Sequence, residues 1–431
     1  MRLGLIGMYL VLLTGSALAG AVKVEVRQEG DDFRLYRGGE PYFIKGAVYG
    51  GEPNGKYPLS ALKESGANSV RSGGRRMSEI LDAAEKLGMT VTAGLYIGHE
   101  YTGGFNYDDE EAVKKQHERI IETVKKYKDH PALLMWGVGN EWSYGYKDEK
   151  VFDAVEKACR AIKEIDGNHP TMTAVGDSPF DANFIGLLKK KCPHLDILGV
   201  NMYGELTELP AKVRKIGWEK AYIVTEWGPN GYWQVEETAW KSEIEETSSE
   251  KAAVYKKSYE QAILKDKGRC LGSYVFLWGQ KQEHTHTWFG LFLETGERTQ
   301  ACCLMQYLWT GKWPGNRAPE IGSLRIDGKV AKESVYLQPG TVHRAAVEVN
   351  EPDGDTARLD WVVLPEPKKY GYAGMGEKKP AAVEGLIEEK TERAVRFKSP
   401  KEEGAYRLFV TVYDGKGNAG TANIPFYVRG E

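Results

Sequence analysis

Between residues 42 and 310, short apolar runs alternate with stretches of helical period, and the pattern repeats eight times. A strand buried on both faces reads as a continuous apolar run, and strands of that kind sit in a parallel sheet covered by helices. The runs are YFIKGAVYG (42–50), NSVRSGG (68–74), TVTAGLYIG (90–98), LLMWGVGNE (133–141), PTMTAVGDS (170–178), LDILGVNMYG (195–204), YIVTEWG (222–228) and GSYVFLWGQ (272–280). Helical stretches lie between them. Ile80, Leu81, Ala84 and Leu87 share one face that stops at Gly88, Asp108 with Glu111 reads as a capping box, and another helix covers about 251–265. Eight strands with interleaved helices predict a (β/α)8 TIM barrel. The alternative is an open doubly wound sheet, which is disfavoured because no glycine-rich dinucleotide fingerprint follows the first strand.

The flanking segments read differently. Residues 22–37 form a small hairpin, with a turn at Gly38-Gly39, placed to cover the barrel floor. TGKWPGNRAPEIG (310–322) is a Gly/Pro-rich linker, and beyond it the helical period gives way to alternating strands with tight turns. That pattern predicts an immunoglobulin-like β-sandwich of about 110 residues. Residues 1–19 have the layout of a signal peptide: Arg2, an apolar stretch from Leu3 to Leu13, and Ala17-Leu18-Ala19 as the cleavage motif. The expected organisation is therefore a signal peptide (1–19), a catalytic barrel with its hairpin (20–312) and a sandwich (313–431), in a periplasmic or secreted protein.

A net charge of -3 gives no reason to expect a nucleic-acid partner, nor a membrane partner once the signal is removed. Export permits disulfides, but five cysteines leave at least one unpaired, and Cys159, on an apolar helical face, reads as a core thiol.

The active site of such a barrel lies at the C-terminal ends of its strands. The fourth strand ends at Asn140-Glu141 and the seventh at Thr225-Glu226, so two carboxylates face each other across the mouth. Glycoside hydrolysis needs such a pair, one group to protonate the leaving oxygen and one to attack the anomeric carbon.

HPALLMWGVGNEW (130–142) together with YIVTEWG resembles the signature of glycoside hydrolase clan A, and GVNMYG resembles the Asn-x-Tyr pattern of family 2. The resemblance spans about 43–300. It implies Glu141 as acid/base, Glu226 as nucleophile, Tyr203 and Arg71 beside the nucleophile, and Trp278 stacked under the reacting sugar. Family 2 enzymes usually carry sandwiches before the barrel, whereas here the sandwich follows it. The clan mechanism is therefore carried over and a sugar specificity is not.

Asn140 suits a sugar 2-hydroxyl, and His99, Glu100, Trp227, Gln280 and Trp288 are further candidate substrate contacts at strand ends and in mouth loops. The long loop at roughly 228–250 offers Tyr232, Trp233 and Trp240 as platforms. His284-Thr285-His286 has metal-pair spacing but lacks a clear third ligand, so neither metal nor cofactor is expected. The leading expectation is a retaining β-glycosidase acting on carbohydrate. The alternatives are a transglycosidase of the β-1,3-glucanosyltransferase type and a catalytically silent carbohydrate-binding barrel.

Overall fold

The computed structural model describes residues 20–366, 375 and 377–430; the expected signal peptide lies outside them. The chain opens with three antiparallel strands, β1 (Val24–Glu29), β2 (Asp32–Arg37) and β3 (Glu40–Pro41). The hairpin turn falls at Gly30-Asp31, and Gly38-Gly39 makes a second turn into β3. Val24, Phe33 and Leu35 pack with Leu134, Ile197, Ile223 and Leu271 from the lower barrel, so this small sheet closes the floor.

Eight parallel strands follow: β4 (Ile44–Val48), β5 (Ser69–Gly73), β6 (Thr90–Leu95), β7 (Leu133–Asn140), β8 (Thr171–Val175), β9 (Ile197–Asn201), β10 (Tyr222–Glu226) and β11 (Cys270–Val275). They close into a TIM barrel, with β11 pairing both β10 and β4. Inside it, the Tyr274 hydroxyl bonds Ser69 Oγ (3.0 Å) and Thr92 Oγ1 (2.6 Å). Gly46 makes room for that ring, since a Cβ there would stand 2.5 Å from Tyr274 Cδ1. Outside, the helices bury one apolar stripe each; Lys150–Ile165 buries Val151, Phe152, Val155, Ala158, Cys159 and Ile162. The helix Glu110–Tyr127 is capped by Asp109, one residue beyond the expected Asp108, because the Asp109 carboxylate reaches Ala112 N at 3.0 Å. All five cysteines are free and buried.

After the barrel helix Gln300–Thr310 come two four-stranded sheets built from β12 (Glu320–Ile326), β13 (Val335–Leu337), β14 (Val342–Asn350), β15 (Arg358–Pro365), β16 (Ile387–Lys390), β17 (Ala394–Lys398), β18 (Gly404–Tyr413) and β19 (Ala419–Val428). Their orders are β12-β14-β17-β16 and β13-β19-β18-β15. Both contribute to one core, which contains Trp361 and Tyr406.

This unit docks on the barrel through buried polar groups. Glu245 Oε1 accepts from Lys251 Nζ (2.5 Å) and Thr287 Oγ1 (2.8 Å), while Oε2 accepts from Thr285 Oγ1 (2.6 Å) and from Asn423 Nδ2 of β19 (2.7 Å). Burial alone would raise the Glu245 pKa, but Lys251 and Arg407 hold it down at about 2. Arg407 on β18 also donates to the Glu243 carbonyl at 2.8 Å. Trp240, expected as a sugar platform, instead packs on Tyr336 and Tyr427 of the second unit, with ring centroids at 5.2 and 5.8 Å.

Removing one partner from a buried ion pair strands the other charge. Lys251→Ala is therefore expected to destabilise the protein by roughly 3–5 kcal/mol, read from denaturant unfolding. Lys241→Ala, which breaks the exposed Lys241–Glu237 pair, should cost about 1 kcal/mol or less.

Candidate active site

The mouth is set by how β7 ends. Its residues are buried up to Gly139, where the backbone turns into the left-handed region (φ 79°), a conformation suited to glycine. A Cβ at Gly139 would stand 2.5 Å from Trp142 and 3.0 Å from Ile97. Glu141 also has positive φ (49°), which is uncommon outside glycine. Neighbouring bonds hold this conformation. Glu141 N donates to Ala174 O (2.8 Å), and Thr173 Oγ1 accepts from the Trp142 indole (2.7 Å) while donating to Val138 O (2.6 Å). The kink turns the Glu141 carboxylate to Asn201 Nδ2, which lies 2.8 Å away.

Across the mouth, Glu226 closes β10. Arg71 of β5 donates to Glu226 Oε1 (2.9 Å), to Thr225 O (3.2 Å) and to Asn140 Oδ1 (2.5 Å). Asn201 Nδ2 also donates to Asn140 Oδ1 (3.0 Å), and Asn201 Oδ1 accepts from Thr225 Oγ1 (2.7 Å). The Tyr203 hydroxyl donates to Glu226 Oε2 at 3.4 Å. Burial, and then the Glu226 charge, push the Tyr203 pKa well above that of an ordinary phenol, so it stays a donor. One hydrogen-bonded network thus joins β5, β7, β9 and β10.

The two carboxyl groups sit in unlike surroundings. Glu226 has a guanidinium against it. Glu141 is raised to about 7, first by burial and then by the charge of Glu226, while Asn201 and Arg71 pull it down in part. At neutral pH this site therefore holds one carboxylate with a cationic partner and one carboxyl poised to give up a proton.

Not every expected contact reaches the mouth. β11 ends at Val275, earlier than the apolar run implied, so Phe276 occupies the rim, with its ring 6.1 Å from Tyr203. Trp278 is only 2% exposed and packs edge-on against Phe292 at 4.8 Å, which removes it as a platform under the sugar. Gln280 donates to the His286 carbonyl (3.0 Å) and braces its own loop. Strand alternation sends Trp227 away from the mouth that Glu226 faces, into Tyr255 and Tyr259 of the outer layer. Trp288 is buried and donates to Asn230 O (3.0 Å), tying two loops together. Glu100 accepts from Lys147 N (2.8 Å) and so joins the loops after β6 and β7. His99 lies half-buried, and burial lowers its pKa. His284 stacks on Tyr232 (5.1 Å) and pairs with Glu243 (3.2 Å), whereas His286 packs on Phe409 (4.6 Å), so the two rings face different partners. Trp233 does stand at the rim, 50% exposed and edge-on to Tyr203 at 5.7 Å.

Asn201, the hub of the network, is not among the residues that the sequence singles out, although GVNMYG contains it. Its position as the last residue of β9 was the available signal. Thr225, bonded to Asn201, and Phe276, on the rim beside Tyr203, carry no such signal of their own.

Residues 57–228 match the family described as Glycosyl hydrolases family 2, TIM barrel domain. A β-glucuronidase from Streptococcus agalactiae serotype V is 26% identical over 194 residues, covering 39% of this chain and 32% of that protein. Mannan endo-1,4-β-mannosidase F from Aspergillus clavatus is 26% identical over 128 residues, covering 26% of this chain and 29% of its own. The matched stretches thus span about a third of those curated relatives. Among solved structures, a calcium-binding mutant of Bacteroides uniformis β-glucuronidase 2 superposes with a TM-score of 0.50 at 15% identity, over 94% of this chain and 48% of that one, and so shares the fold.

Because the Glu226 charge helps raise Glu141, neutralising it should lower the Glu141 pKa. In Glu226→Gln, 13C NMR of labelled glutamate carboxyls is expected to show Glu141 titrating below its wild-type value of about 7. Asn201→Ala should move it the other way, because the Asn201 hydrogen bond favours the ionised form.

Proposed function

From the premise that this chain carries a catalytic barrel like that of glycoside hydrolase family 2 in clan A, we propose that it is a retaining β-glycosidase using Glu226 as nucleophile and Glu141 as acid/base. The observation that carries this reading is the division of labour between the two carboxyl groups: Arg71 pairs with Glu226, while burial and the Glu226 charge keep Glu141 protonated up to about pH 7. Both curated relatives are named for activity on a β-linked substrate, which supports the same linkage here.

In the first step a Glu226 oxygen bonds to the anomeric carbon, the glycosidic bond breaks, and Glu141 gives its proton to the departing oxygen. The ester formed at Glu226 has no charge. The second-largest cause of the raised Glu141 pKa then disappears, so Glu141 becomes a better-matched base for the second step. It takes a proton from water, whose oxygen attacks the anomeric carbon and frees Glu226. Asn140 fits the sugar 2-hydroxyl, because Arg71 and Asn201 both occupy its amide oxygen and orient its NH2 group as a donor. Transglycosylation would use the same groups, with a sugar hydroxyl replacing water. The order of the eight C-terminal strands, β12-β14-β17-β16 against β13-β19-β18-β15, supports reading that unit as immunoglobulin-like.

A 2-deoxy-2-fluoro β-glycoside with a dinitrophenyl leaving group should accumulate as a covalent adduct on the peptide containing Glu226, detected by mass spectrometry. Attachment elsewhere would rule out this nucleophile. Glu141→Gln is expected to slow turnover of poor leaving groups by roughly 10²–10⁴-fold. With wild type, kcat/KM should fall tenfold per pH unit above about pH 7, where Glu141 loses its proton. A profile level to pH 9 would contradict that assignment.

A further inference from the structure

The exposed aromatic side chains of the barrel gather at its rim. Tyr96 and Tyr101 follow β6, Tyr144 follows β7 and Trp233 follows β10. Tyr101 is 61% exposed and Tyr144 is 37% exposed. Their rings meet edge to face at 5.3 Å, an arrangement that fixes the tilt of both.

The pair is built onto the acid/base. Tyr144 N donates to Glu141 O at 3.1 Å, in the turn that begins with Glu141. Gly145 follows with φ 60°, and a Cβ there would stand 2.9 Å from both Cβ and Cγ of Tyr101. The Tyr101 ring therefore lies directly on that turn, through a gap only glycine leaves. The Glu100 carboxylate, bonded to Lys147 N (2.8 Å) and Asp148 N (3.4 Å), clamps the short helix Glu100–Gly103 to the same turn. An exposed aromatic pair held at a fixed tilt on the rim of a cleft is the kind of surface that a bound ring covers.

Resting on the reading of Glu141 as the proton donor, we propose that Tyr101, steadied by Tyr144, forms the binding site for the leaving group. Its ligand is the ring attached through the scissile oxygen, either a second pyranose presenting its C–H face or an aryl group. The proton donor must lie beside the leaving oxygen, so the ring carried by that oxygen comes to rest on the elements next to Glu141. Those elements present Tyr101 and Tyr144. The site binds the leaving ring during bond cleavage, and a sugar acceptor would occupy the same place in the reverse sense.

The test compares two probes in the full-length chain: the β-fluoride and the 4-nitrophenyl β-glycoside of the same sugar, using glucose, mannose, galactose and glucuronic acid. Fluoride departs without a ring, whereas nitrophenolate departs with one. Tyr101→Ala is expected to lower kcat/KM for the nitrophenyl glycoside by about 5–10-fold, the scale of one aromatic contact. The fluoride value should stay at wild-type level, and Tyr101→Phe should restore most of the nitrophenyl loss. Equal losses on both probes would show a structural role and overturn the proposal, as would an unchanged nitrophenyl value. Turnover of neither probe by wild type for any of the sugars would remove the glycosidase reading, and this inference with it. Turnover of the fluoride with no selective Tyr101 effect would remove only the inference.

Discussion

The Arg71 guanidinium is the interaction on which the mouth depends. It is only slightly exposed and spans β5 to β10 and β7, touching the side chains of Glu226 and Asn140. Burial first, and then repulsion from the Glu226 charge, disfavour a second negative charge at Glu141. With one cation on the Glu226 side, that repulsion is resolved in one direction: Glu226 keeps a counter-charge and Glu141 keeps its proton. Arg71 also takes the oxygen of Asn140, so the electrostatic choice and the orientation of a sugar-facing amide are made by the same group. A lysine could supply the charge but not the rigid planar fork whose two terminal nitrogens reach Glu226 and Asn140 at once.

The parallel barrel makes such a bridge possible. Parallel strands all deliver their C-terminal ends to one face, and residues three or more strands apart in order come within reach across the mouth. The sequence displayed this part well. β7 and β10 are continuous apolar runs that stop at Asn140-Glu141 and Glu226, and the carboxylates fall at the strand ends as anticipated. β11 was harder to place. Its run continues through FLWG with no polar interruption, so periodicity gives no stop signal before Gln280, and the strand ends at Val275 with Phe276 at the rim. Moving the end of the strand inward takes Trp278 and Gln280 off the rim. Trp227 leaves the mouth for a different reason: next to a functional residue on a strand, alternation directs the neighbour outward.

The long loop after β10 shows what local sequence cannot convey. Its aromatic content suggested sugar platforms, which Trp233 alone satisfies by exposure. Trp240 and Glu245 serve the junction between barrel and C-terminal sheets, and Glu245 finds Asn423 178 residues away. Nothing in the spacing of a loop marks a partner at that distance. The same junction anchors Thr285 and Thr287, close to the buried Trp288 and the stacked His284–Tyr232 pair. The second unit therefore supports one wall of the mouth.

The left-handed backbone of Glu141 connects these layers. A non-glycine residue in that region stores of order 1–3 kcal/mol and persists where surrounding bonds over-determine it. Here the bonds are Glu141 N to Ala174 O below, Asn201 to the carboxylate beside it, and the Trp142–Thr173–Val138 chain behind. An extended residue at 141 would continue the pleat and point the carboxyl group along the strand's alternation. The kink sends it to Asn201, into burial and into the field of Glu226, where its proton affinity rises. The strain and the raised pKa thus have one origin in the way β7 ends, and Gly139 and Gly145 on either side let Ile97 and Trp142, then Tyr101, close around that end.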